Sequence, residues 1–101
     1  IGQTEVGFPD LIGNDSRGRV LWIELKAFGK RGNVSETQWT FLKTKIDQGC
    51  FAVVVDSAEL LKEYYYTWQS SKSPEKYLKS ILPVPASIKK NDKGYREDMG
   101  F

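Results

Sequence analysis

Asp10, Glu24 and Lys26 are the residues whose types and spacing suit chemistry on a phosphate ester. Asp10 follows Pro9 and opens a short apolar segment, while Glu24 and Lys26 stand two apart in the run Arg19 to Lys26. Side chains alternate along a strand, so Glu24 and Lys26 share one surface. Neighbouring strands lie about 5 Å apart, so Asp10 and Glu24 meet if the two segments pair as a hairpin. Two carboxylates side by side repel, and they become useful when a hard cation binds between them. Mg²⁺ takes a few carboxylate oxygens and keeps several waters, leaving room for a phosphate oxygen. The backbone carbonyl of Leu25 would supply a further oxygen. Lys26 is placed to hold or activate an attacking water, or to stabilise the charge that develops on phosphorus. Singly, Pro-Asp is an ordinary turn opening and Glu-x-Lys an ordinary solvated ion pair; it is their combination that points to a site.

The elements that must carry these residues are legible in turn. Asp10 to Gly13 reads as a short strand, and Asn14-Asp15-Ser16-Arg17-Gly18 is a cluster of turn formers. Arg19 to Lys26 is the clearest strand, with Leu21, Ile23 and Leu25 on one face and Val20, Trp22, Glu24 and Lys26 on the other. Phe28 to Asn33 is a loop containing two glycines and the bases Lys30 and Arg31, both expected to contact phosphate. Ser35 followed by Gln38 fits a capping box, and Trp39, Leu42 and Ile46 form the buried stripe of the helix it starts. Gly49 is its expected left-handed stop.

Phe51 to Val55 is wholly apolar, as in a strand covered on both faces. Ser57 caps a second helix with Leu61, Tyr65 and Trp68 at helical spacing, and the three consecutive tyrosines 64–66 divide between core and surface. Trp22, Trp39 and Cys50 are expected in the core. Ser70 to Ser73 reads as a linker, Pro74 opens a short third helix that Pro83 closes, and 83–101 is expected to be irregular. The expected division is a core over 1–69 and a C-terminal extension over 70–101.

Composition excludes other chemistries. The chain has 101 residues, no histidine and one cysteine. It therefore holds no Ser-His-Asp or Cys-His unit, no zinc site of the Cys/His type and no internal disulfide. The run Cys50 to Val55 is far too short for a membrane span of about 20 residues, and a reduced, intracellular (cytoplasmic) setting is expected. The first residue is Ile, so the start is expected to be truncated or processed. The net charge of +2 conceals a basic middle, +5 over residues 17–46, between stretches of −3 over 1–16 and 47–71. Such a stretch can meet a phosphate backbone.

Gly7-Phe8-Pro9-Asp10-Leu11, Ile23-Glu24-Leu25-Lys26-Ala27 and Ser35-Glu36-Thr37-Gln38 together resemble the virus-type replication-repair nuclease domain (VRR-NUC). That domain belongs to the PD-(D/E)XK superfamily of restriction-endonuclease-like folds. The resemblance runs from about Gly2 to Val55. It implies an α/β fold, a central mixed β-sheet flanked by helices. It also implies a metal-dependent DNA endonuclease with Asp10 and Glu24 as Mg²⁺ (or Mn²⁺) ligands, Lys26 as catalytic lysine and Gln38 as a motif residue of the site. Branched or junction DNA as substrate, a homodimer, a replication, repair or recombination role and a phage origin are implied in the same way. The family pattern begins with a helix bearing an acidic residue upstream of Pro-Asp; only nine residues precede Asp10 and Glu5 is the carboxylate among them, so that helix is expected to be lacking here. The competing expectation is a non-catalytic module on the same fold that binds nucleic acid or protein.

Overall fold

Asp15 turns the chain back on itself. Its backbone N–H donates to the Arg19 carbonyl at 3.0 Å, its own carbonyl accepts from the N–H of Gly18 at 2.9 Å, and a hairpin follows. A computed structural model describes residues 8–89. Strand β1 (Leu11–Asn14) runs antiparallel to β2 (Val20–Leu25), and β2 runs parallel to β3 (Phe51–Val55), giving a three-stranded mixed sheet in the order β1-β2-β3. A parallel pair needs a crossover, and helix α1 (Glu36–Asp47) supplies it. Helices α2 (Ala58–Ser70) and α3 (Pro74–Ile81) complete the α/β domain.

The local signals explain the boundaries. Ser35 and Gln38 form a reciprocal capping box at the start of α1. Gly49 takes φ +88° just beyond its end, a backbone conformation that costs a residue without Cβ nothing. The Ser57 hydroxyl accepts from the Leu60 N–H at 3.1 Å and starts α2, and Pro74 stands in the first turn of α3.

Every side chain of β3 is buried, because β3 is covered on both faces. Phe51 meets Tyr65 and Trp68 of α2, with ring centroids 5.5 and 5.1 Å apart. On the other face, Trp22 packs edge-on against Phe41 of α1 and Phe8, at 5.2 and 5.8 Å. Full burial of a Val or Phe side chain is worth about 1.5–3 kcal/mol, so this strand anchors the domain. Leu42 and Ile46 of α1 are buried with it, whereas Trp39 is half-buried beneath Lys43 and Cys50 is half-buried rather than in the core. The tyrosines divide as their positions on a helix require: Tyr64 buried, Tyr65 half-buried, Tyr66 exposed.

The segment expected to be a separate extension is part of the same core. Leu78 of α3 and Leu82 belong to the cluster that contains β3, and α2 runs to Ser70, leaving only 71–73 between the helices. The irregular tail expected over 83–101 divides. Pro85 is buried and Ser87 donates to a carboxylate oxygen of Glu36 at 2.5 Å, while residues 90–101 lie outside the described residues, as do Glu5 and Gly7. Among the described residues no helix is long and apolar enough to cross a membrane.

Candidate active site

The β1–β2 register carries the two carboxylates to one place. Leu11 pairs with Ile23 and Ile12 with Trp22, so the next step of the ladder sets Asp10 against Glu24. The Leu25 N–H points toward β1 and donates to Asp10 Oδ2 at 2.8 Å. In a strand the N–H and C=O of one residue point the same way within the sheet, so the Leu25 carbonyl also faces the Asp10 side. Odd-numbered residues of β2 thus make the ladder bonds to β1. Even-numbered Glu24 falls at a non-hydrogen-bonded position, where facing side chains come closest.

Helix α1 closes the site from the other side through Gln38. Its Nε2 donates to Glu24 Oε2 at 2.9 Å, and its Oε1 accepts from Lys26 Nζ at 3.3 Å and from the Ser35 N–H at 3.1 Å. Lys26 Nζ also stands 3.5 Å from Glu24 Oε2. One amide therefore serves the helix cap and bridges Glu24 and Lys26. A one-turn shift of α1 would undo all of these contacts at once.

Glu24 is 5% exposed, the single buried charged residue among those described. Burial pushes its carboxyl above the usual 4.5, the Asp10 charge pushes it further the same way, and Lys26 only partly opposes them. The site thus has an electrostatic deficit that a bound cation would relieve. Two carboxylates and a backbone carbonyl suit Mg²⁺ or Mn²⁺, which fill the rest of an octahedron with water and substrate oxygen. Among the described residues no group of three or more His, Cys, Asp or Glu is placed to hold a metal ion.

The two loop bases part company. The Arg31 Nε donates to the Val54 carbonyl at 2.6 Å, its Nη2 donates to the Ile81 carbonyl, and the guanidinium lies 5.1 Å from the Tyr64 ring centre. Lys26 N–H bonds the Val55 carbonyl, so the Val54 carbonyl points away from β2. Arg31 therefore seals the outer edge of β3 against the end of α3. Its expected position against phosphate is corrected to this structural one, because two backbone acceptors and a ring already hold its guanidinium. Lys30 is exposed. Asp56 was not singled out from sequence: its Oδ2 accepts from the Gly29 N–H at 3.0 Å and ties the loop to the end of β3. Its place directly after an apolar strand, where sites on parallel sheets gather, was the available signal.

Compared with protein-family models, curated proteins and solved structures, the chain matches none.

Proposed function

We propose that this chain is a metal-dependent DNA nuclease of the restriction-endonuclease-like, VRR-NUC type. The observation that carries the reading is the meeting of Asp10 and Glu24 across β1 and β2, with Lys26 on the same face. A divalent cation bound there would polarise the scissile phosphate and lower the pKa of a water. Asp10, Glu24 and the Leu25 carbonyl would hold that cation. Lys26 would position the attacking water and meet the charge on the phosphoryl oxygens, and Gln38 would hold Glu24 and Lys26 at their separation.

Branched DNA and a two-fold dimer belong to this reading, since paired cuts on symmetry-related strands need two sites. The β1 edge supports the dimer: Leu11 and Ile12 are both about half exposed on a strand with no outer neighbour among the described residues. Light scattering with and without DNA checks it, and a mass of one chain under both conditions removes it.

The deciding experiment is cleavage of duplex, flap, single-stranded and four-way junction DNA with Mg²⁺, Mn²⁺ or EDTA. Metal-dependent cutting that Asp10→Ala and Lys26→Ala both lose is expected. DNA binding without cutting in any metal would leave the binding module instead.

A further inference from the structure

Among the described residues Phe28, 84% exposed, is the most exposed of the large apolar side chains, and it lies outside their hydrophobic core. Its backbone is held nonetheless. The Lys30 N–H donates to the Ala27 carbonyl at 2.9 Å, Gly29 has φ +82°, and among the described residues no non-glycine residue, Phe28 included, has positive φ. This combination defines a type II turn with Phe28 at its second position and Gly29 at its third. The turn is tied down at three further points: Gly29 N–H on Asp56, Asn33 N–H on the Lys30 carbonyl, and Arg31 on the carbonyls of Val54 and Ile81. The second position of a type II turn accepts almost any residue and favours proline, so the turn does not require an aromatic there. The tip lies two residues beyond Lys26, within about 7.6 Å of it along the backbone, and exposed Lys30 flanks it.

We propose that Phe28 is a stacking platform for an unpaired base next to the reacting phosphate, so that this site prefers single-stranded or locally opened nucleic acid over continuous duplex. A base stacks on an aromatic face without regard to sequence, and a ring held on a rigid turn loses little freedom on binding. Paired bases within a duplex keep their faces covered by one another, and an exposed ring has nothing to gain from them. Lys30 supplies the neighbouring phosphate contact. The inference rests on the nuclease reading only for its position beside a reacting phosphate; the stacking contact can be measured without cleavage.

The test is fluorescence anisotropy of labelled oligothymidylate and of a blunt duplex in EDTA, with wild type, Phe28→Ala and Phe28→Tyr. Phe28→Ala is expected to weaken oligothymidylate binding by about 5- to 150-fold, with duplex binding unchanged and Phe28→Tyr close to wild type. Unaltered oligothymidylate binding by Phe28→Ala overturns the proposal, as does equal loss on both probes or no binding by wild type. So does conversion of a dimer to a monomer by the substitution, which would make Phe28 a contact between copies. If the Phe28-dependent binding is found but no metal supports cutting, the stacking site stands and hydrolysis falls. If cutting is found and Phe28→Ala binds and cuts as wild type does, the reverse holds.

Discussion

The β1–β2 hairpin holds a half-buried or buried carboxylate at each end, and the two are treated in opposite ways. At the turn, Asp15 accepts from the backbone N–H groups of Arg17 and Arg19, from the Arg19 guanidinium at 2.7 Å and from the Tyr65 hydroxyl at 2.8 Å. Burial alone would raise its pKa. The hydrogen bonds from Arg19, Tyr65 and Arg17 outweigh that and hold it at about 2. At the open end, Glu24 receives one amide N–H and a lysine at 3.5 Å, faces a second carboxylate, and is pushed up. The first carboxylate is saturated with donors and ties the hairpin to α2, with Arg19 also lying 4.4 Å over the Trp68 ring. The second is left short of positive charge. Both have a cationic neighbour close in sequence, so the ion pair is common to the two ends; the number of converging donors is what separates them.

The greatest contrast is expected in catalysis. Asp10→Ala or Lys26→Ala should reduce cleavage by about a thousandfold or more while the protein stays folded at the assay temperature, since neither side chain belongs to the core. A comparable loss of activity from Asp15→Asn, measured per folded molecule, would remove the distinction between the two ends.

Next in size, Arg31→Ala should cost about 3 kcal/mol of unfolding free energy, because two charge-assisted hydrogen bonds to backbone carbonyls are lost. Chemical denaturation measures it. Lys30→Glu, one residue away, should leave stability unchanged and flatten the salt dependence of DNA binding by about one log–log unit.

Asp15→Asn should lower the melting temperature by several degrees at neutral pH. The sign follows from linkage: a native pKa held below the usual 3.8 stabilises the fold above that pH, and the gain is lost as pH falls toward about 2. The penalty of the substitution should therefore shrink over that window in thermal melts.

Glu24→Gln should act in the opposite direction and by less. A raised native pKa means that wild type loses stability as pH climbs from 4.5 through the native value, and the loss persists above it. Metal-free Glu24→Gln should then melt slightly higher than wild type near neutral pH and equal to it in acid. Its Mn²⁺ affinity by calorimetry should collapse. A lower melting temperature at neutral pH would show Glu24 to be a structural carboxylate like Asp15.

The parts of this protein that could be read from residues are those set by local chemistry. Ser35 with Gln38, Ser57, Gly49 and Pro74 mark helix ends through bonds or dihedrals that span only a few residues. The alternation in β2 places Glu24 and Lys26 on one face whatever the strand packs against. The pairing of Asp10 with Glu24 was also within reach, because a short turn leaves a hairpin few registers. The fate of Asp15, Arg31, Phe28 and Asp56 was not legible, since each depends on groups 27 to 50 residues away or on what the fold leaves uncovered. Asp15 and Asp10 are both acids beside turn formers, and Lys30 and Arg31 are adjacent bases in one loop. Tertiary packing alone brings Tyr65 to Asp15, and it holds one base against two carbonyls while leaving the other in water. Long-range partners, rather than residue type, set how much charge each group must share, and that decides which of them is free to act on something else.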